Sequence, residues 1–222
     1  PAGKRTEEKP SAMKVADYVR LAAEDFHPPS KARAASIPVE LLPVPLSRGM
    51  TAEERAALFS RPVTAVRDLP AAEGRFPLIV FGQGLYYESP LAQYALCEHL
   101  AEHGYVVGTS PLRGVRNRLV NLSVEDLEAE VRDMEFVLGA LRGWDCVDDE
   151  RLGIAGYDLG GMAGLLLAMR NSGVGAFLSL DAGILNRHFT GLPRTHPDYH
   201  VESFTVPWMH MTQARFIPAT RK

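Results

Sequence analysis

Cysteine is scarce: Cys97 and Cys146 are the two in 222 residues. Each lies in or beside an apolar stretch. That excludes a disulfide framework and reads as free, buried thiols. No apolar run approaches the ~20 residues that span a bilayer, so no membrane span is expected. Excess charge is missing too. With 24 basic and 27 acidic side chains the net charge is −3, too little to draw nucleic acid or an acidic membrane surface. The opening residues hold no signal-peptide apolar core and no initiator Met. A mature secreted form, a trimmed chain and an internal fragment all fit, so the compartment stays open. Internal repeats are absent. What remains, at 46% hydrophobic residues, suits one globular domain with a sizeable core.

Two regions differ in texture. Residues 1–74 read as an N-terminal extension packed on the main domain. Residues 1–10 are polar; 11–26 carry a helical pattern (Met13, Val15, Tyr18, Val19, Ala22) stopped by His27-Pro28-Pro29. Residues 30–50 are punctuated by proline. Thr51, with Glu54 three residues on, is a capping box opening a short helix to Phe59. Residues 75–222 alternate strand and helix. Leu78 to Phe81 is a continuous apolar strand of the kind buried in parallel sheets. A helix follows from Pro90 to His103, then a strand from Tyr105 to Gly108. Ser123 caps a long helix to Leu141, whose inner face is Leu127, Val131, Met134, Leu138 and Leu141. Further strands are expected at 152–155, 175–180 and 206–211. This order predicts an α/β fold with a mostly parallel central sheet and helices on both faces. Function then belongs at the carboxyl ends of the strands.

One such end stands out. Leu152 to Met169 reads LGIAGYDLGGMAGLLLAM: a strand, a turn flanked by Gly156 and Gly160, and an apolar helix. A nucleophile elbow, G-x-S-x-G, requires that context. Here the central residue is Asp158 in place of Ser.

The segments FPLIVFGQGL, CEHLAEHGYVVGTSPLRG, ERLGIAGYDLGGMAG and AFLSLDAGIL, in that order, make residues 75–185 resemble the core of the α/β-hydrolase fold. The resemblance is closest to platelet-activating-factor-acetylhydrolase-like and dienelactone-hydrolase-like esterases. It implies that Asp158 stands at the nucleophile's position and that Asp181 supplies the triad carboxylate. The backbone amides of Leu85 and Leu159 would form the oxyanion hole, with Gln83, Gly84, Tyr86 and Tyr157 lining the site. It also implies a small-molecule substrate of ester type, no cofactor and no metal. The family's His before Gly84 is Gln83 here. Its catalytic His lies after the last strand, so the resemblance places that residue beyond Lys222 and predicts a core cut short at its C-terminus.

An aspartate changes the chemistry. Its attack on an ester carbonyl would form an anhydride, from which the carboxylate readily departs. A carboxylate is better suited to displacement at a saturated carbon, in epoxides or alkyl halides, where it leaves a stable ester. Three readings therefore stand: an esterase-like hydrolase, an inactive hydrolase-fold binding protein in which Asp158 merely caps a helix, and an Asp-nucleophile hydrolase. Leu159 departs from the Trp usual in the third class. His196 and His200 have the spacing of a metal pair, but Pro197 argues against a helix there. Arg113, Arg116 and Arg118 form a basic loop near the expected site, where solvated arginines are the ordinary reading.

Overall fold

The computed structural model describes residues 9–26, 49–85, 89–117, 120–185 and 191–213. Most of the proline-punctuated stretch, together with Tyr86, Arg118 and His188, lies outside them.

Five parallel strands form the main sheet: β3 (Phe76–Gly82), β4 (Val106–Thr109), β5 (Val147–Tyr157), β6 (Val174–Leu180) and β7 (Trp208–Met211), in the order β4-β3-β5-β6-β7. Between them run α3 (Tyr94–Glu102), α4 (Val124–Leu141) and α5 (Leu159–Arg170). Every predicted strand and helix of residues 75–211 is present, with β5 beginning earlier than Leu152. The added residues pair Val147 with Phe76 before a bulge brings Leu152 opposite Leu78.

The core lies between the sheet and helices α4 and α5. Leu78, Val80, Ile154 and Phe177 meet Leu127, Val131, Met134 and Leu138 across it. Leu141, the last residue of the predicted inner face, is only half-buried. From Leu159 to Ala168 every residue of α5 is buried. A helix apolar on all sides belongs inside, and α5 packs on β3, β5 and β6 with α4 alongside it on β3 and β4. The other sheet face is covered less completely. Ile79, Gly153, Ala176 and Leu178 line an apolar groove of about 710 Å³ there, with Leu100 of α3 at its rim.

Expectation and structure part at residue 11. The predicted helix begins only at Val15, as α1 (Val15–Phe26), and Ser11–Lys14 is a strand, β1. The amide of Lys14 donates to the Asp17 carboxylate at 2.8 Å, which satisfies a donor just outside the first turn. β1 pairs antiparallel with β2 (Pro62–Arg67), Ser11 opposite Arg67. Pro62 begins β2, where a missing N–H is tolerated. The capping box of α2 (Ala52–Ser60) forms as predicted, with Glu54 N–H on Thr51 Oγ1 at 3.2 Å and Thr51 N–H on Glu54 Oε2 at 2.8 Å. Val15, Val19 and Ala22 make a small separate cluster. Tyr18 joins it to α3 by stacking on Tyr94 and by donating to Glu98 at 2.8 Å.

The cysteines Cys97 and Cys146 are free but half-buried, less enclosed than their surroundings in the sequence suggest. Burial pushes the Cys97 thiol up to about 11, with the Glu98 charge adding to it.

The segment after β6 is pinned by charge. Arg170, the last residue of α5, donates to Glu128 of α4 and lies 2.6 Å from the Asp198 carboxylate. His196 Nε2 is 3.1 Å from the same Glu128. These groups are partly shielded, and one guanidinium faces three carboxylates, with Glu135 the third at 3.7 Å. Arg170→Met should leave Asp198 without its guanidinium and Glu128 with Arg132 as its remaining one, 2.7 Å away, and cost about 2 kcal/mol. The expected outcome is a lower urea midpoint at unchanged slope, with Arg170→Lys recovering only part of the loss. An unchanged midpoint for the Met variant would show that the cluster carries no stability.

Candidate active site

Five strand ends meet at one edge of the sheet. They bring together Gln83–Leu85 after β3, Thr109 at the end of β4, Asp158 after β5, Asp181 after β6 and Thr212-Gln213 after β7.

The turn at Asp158 is sharp because glycine permits it. A Cβ at Gly160 would lie 2.1 Å from the carbonyl carbon of Gly82, and one at Gly156 would lie 2.3 Å from Gly160 O. The helix therefore starts in backbone contact with two strands. Asp158 bridges strand and helix at φ 51°, ψ −115°, a region that L side chains rarely adopt and that costs on the order of 1–3 kcal/mol. Its amide is held by Leu180 O at 2.9 Å, and its carbonyl accepts from Gly161 N–H at 3.1 Å and Met162 N–H at 3.3 Å.

Its side chain turns away from the helix. Asp158 occupies the N-cap position without a side-chain capping bond. Oδ2 instead accepts the amide hydrogen of Leu85 at 3.1 Å, across the gap to the β3 turn. The amide of Leu159 favours the charged carboxylate as well. The Leu85 amide, one of the two predicted oxyanion donors, thus points at the carboxylate of Asp158 itself.

Burial pushes the Asp158 carboxyl above its ordinary range. The amides of Leu85 and Leu159 pull it down, and the charge of Asp181 adds a smaller upward push. A repulsion between the two carboxylates is expected from their placement, yet desolvation is the larger cause. Asp181 has its own partners: Thr212 Oγ1 at 3.1 Å, Gln213 N–H at 3.3 Å and the Gln213 side-chain amide. Like Asp158 it has a positive φ, 49°.

The expected lining residues separate. Gly84 packs directly on the elbow: a Cβ there would come within 2.4 Å of Tyr157 Cδ1 and 3.0 Å of Asp158 Cβ. Gln83 does not line the site. It is 1% exposed, and its side-chain amide runs sideways to Thr109 Oγ1 at 2.6 Å. Tyr86 lies outside the described residues.

Two contributors escaped the sequence reading. Glu130 of α4 is completely buried and accepts the amide hydrogen of Gln83 at 3.0 Å. The sequence carries a signal for it, since Glu130 is three residues after Leu127 and four before Met134, on the helix's inner arc. Asp126 accepts from Val115 N–H at 2.8 Å and Asn121 N–H at 2.7 Å, and so holds the loop after β4. Arg116 in that loop pairs with Glu125 at the surface.

Glu128, His196 and Asp198 place ligand atoms within 4.8 Å of one another. The guanidinium of Arg170 already lies against both carboxylates, so these residues are a poor fit for a metal. His210 Nδ1, on β7, shares a hydrogen bond with Ser179 Oγ at 2.7 Å, and Ser179 accepts from the Trp208 indole at 2.8 Å. Burial lowers its pKa, against the pull of Asp181.

Neither a protein-family model nor a curated protein sequence matches the chain. Several solved structures resemble it. The alpha/beta hydrolase GrgF from Penicillium sp. sh18 is 15% identical, over 49% of this chain and 38% of its own, with a TM-score of 0.43. A ferulic acid esterase from Streptomyces cinnamoneus is 21% identical, over 94% of this chain and 74% of its own, with a TM-score of 0.49. The structure of the metagenome-derived lipolytic enzymes LipS and LipT gives 19% identity over 49% and 42%, with a TM-score of 0.38. The chain spans less than two-fifths of the length of the first of these. The α/β-hydrolase fold of this chain rests on its own geometry: a parallel sheet flanked by helices, a strained elbow before a buried helix, and the Leu85 amide aimed at the elbow side chain. No helix among the described residues is long and apolar enough to cross a membrane.

The direction of the Asp158 shift makes a stability prediction. Its folded-state pKa is above the ordinary 3.8, so the fold binds this proton more tightly than the unfolded chain does. Stability is therefore lost as pH rises from the unfolded value through the folded one. Asp158→Asn should gain stability relative to the parent across that window and hold the gain above it. Melting temperatures of both proteins from acid to neutral pH read this directly. A difference independent of pH would contradict it.

Proposed function

We propose that the chain is a hydrolase whose reacting group is the carboxylate of Asp158, acting on a saturated carbon that bears a leaving group, as in a small epoxide or alkyl halide. The observation that carries this reading is the hydrogen bond from Leu85 N–H to Asp158 Oδ2. The Leu85 amide holds Oδ2, and Oδ1 is the attacking oxygen in the proposed reaction. The bond formed is Oδ1 to carbon. The bond broken is carbon to halide, or carbon to epoxide oxygen, and that oxygen then takes a proton from water. The product is an Asp158 ester. Attack of water at its Cγ would place negative charge on Oδ2, where the Leu85 and Leu159 amides already point. Collapse of that intermediate releases the alcohol and restores Asp158.

The same hydrogen bond weighs against a carboxylic-ester substrate. Such a substrate must seat its carbonyl oxygen between those amides. To do so it would have to expel the carboxylate oxygen of Asp158 from the Leu85 amide. The capping reading is weakened as well, because the carboxylate makes no side-chain capping bond to its helix.

Incubation with a small epoxide or a haloalkane, followed by intact-mass and peptide mass spectrometry, tests the proposal. The expected result is one substrate-derived ester on Asp158, absent from Asp158→Asn. Turnover of p-nitrophenyl esters abolished by Asp158→Ala, with no adduct from either alkylating class, would return the site to ester chemistry. Ligand binding without adduct or turnover would make the chain a non-catalytic binding protein.

A further inference from the structure

The turn that carries the Leu85 amide is braced from two sides by side chains with no other evident task. From below, Glu130 of α4 extends its carboxyl to the Gln83 amide at 3.0 Å. From the side, Gln83 Nε2 donates to Thr109 Oγ1 at 2.6 Å, and that hydroxyl donates to Phe81 O at 2.9 Å. The two side chains at the centre of the brace are buried, Glu130 at 0% and Gln83 at 1% exposure, with Thr109 half-buried beside them. The arrangement is costly for a purely structural one. Glu130 Oε2 and Gln83 Oε1 are both buried without a partner, and an unsatisfied buried polar atom typically costs about 1–3 kcal/mol. A leucine at 130 would continue the apolar face of α4 without that cost.

Two residues beyond Gln83, the chain must deliver Leu85 N–H to Asp158 Oδ2 within hydrogen-bond range. Gly84 leaves little room for error, since its α-carbon faces the Tyr157 ring and Asp158 Cβ. Fixing the Gln83 amide fixes the plane of the first peptide of this turn.

We infer that Glu130 is a positioning residue for the elbow: through the Gln83 amide it sets the orientation of the Gln83–Leu85 turn, and so the hydrogen bond from Leu85 to Asp158. Glu130 touches neither substrate nor reacting atoms. It acts through the backbone, and what it needs is an acceptor oxygen rather than a charge. Burial raises the Glu130 carboxyl well above its ordinary range, with the charge of Asp133 on the same helix adding to it. A neutral acid keeps that acceptor, and so does a glutamine. The inference rests on the proposed role of Asp158 only for its effect on rate. Its effect on the Asp158 titration does not depend on any turnover.

The test follows the Asp158 carboxyl by ¹³C NMR on protein labelled at aspartate, assigned with Asp158→Asn. The Leu85 hydrogen bond favours the charged form, so its loss raises the titration midpoint. Of the charged groups around Asp158, Asp181 is the one that also pushes on it, and it is unchanged in every variant. Glu130→Gln should titrate as the parent does. Glu130→Leu, folded by circular dichroism, should show an upward-shifted midpoint. Alkylation of Asp158, if it occurs, should slow about tenfold in Glu130→Leu, the scale of one hydrogen bond to a charged group. A parent-like Asp158 midpoint in folded Glu130→Leu overturns the inference. An equal shift in Glu130→Gln and Glu130→Leu overturns it too, because the acceptor would then be irrelevant. Should Glu130→Leu fail to fold, Thr109→Val removes the lateral brace without changing volume. An upward shift there supports the inference, and a parent-like midpoint rejects it. If the midpoints move as expected while no adduct forms in the parent, the positioning role stands and the displacement chemistry falls.

Discussion

Backbone contact between Gly160 and Gly82 is the constraint on which the site depends. A methyl group on Gly160 would overlap the Gly82 carbonyl, so α5 begins as close to β3 as two peptide chains can pack. The pairing of β3 with β5, Gly82 opposite Gly156, sets the two turns side by side, and the glycine contact seats α5 directly on them. Only then can an amide of the first reach a side chain of the second. The surroundings reinforce it: α5 is buried along its length, and a packed interior transmits position with little give. Moving α5 by an ångström would break the bond from Leu85 to Asp158.

That bond decides the electrostatics of the site. Desolvation drives Asp158 toward its neutral form, while the Leu85 and Leu159 amides draw it toward the charged form. Desolvation prevails, so the carboxyl titrates higher than a free one. The Leu85 amide confers direction by fixing Oδ2. A nucleophile needs both properties. A carboxylate stripped of water is more reactive, and one with a fixed oxygen attacks along a fixed line. Asp181 takes no part in holding it, because its own oxygens are engaged by Thr212 and Gln213.

The sheet could be read in the sequence because its strands are short apolar runs set off by glycine and by capped helices. Ser123 and Thr51 mark helix starts through local hydrogen bonds, and a local bond needs no knowledge of the fold. β1 and β2 were less legible. Ser11–Lys14 forms a strand only because Pro62–Arg67 lies beside it, and a pairing 50 residues apart leaves no periodic trace in four residues. At the site, the motif located Asp158, Leu85 and Leu159, since the elbow's shape is written in its glycines. It could not reveal where the Asp158 oxygens point. Gln83 was read as lining the mouth by analogy with a histidine, whereas its side chain lies sideways in the core. Glu130 was hidden by the assumption that a helix's inner face is apolar.

The Asp158 turn has a cost that a helix cap would not incur. An aspartate capping α5 would bond to the free amides of the first turn from extended backbone, in a strain-free geometry found at many helix starts. Asp158 holds instead a positive φ, gives up most of its hydration and reaches across to another strand's turn. Each of these lowers stability relative to a plain cap. Gln83 does not add to that cost. The turn presents a backbone amide to the elbow, so exchanging His for Gln at 83 removes no donor, and the longer amide side chain ties β3 to β4 through Thr109. The two departures from the esterase pattern thus differ in kind. Gln83 preserves the cradle by supporting it, and Asp158 changes what the cradle holds. A carboxylate oxygen fixed by the Leu85 amide on a strained turn is a geometry that a plain cap would not require, and that strain is the physical reason to propose a chemical role for it.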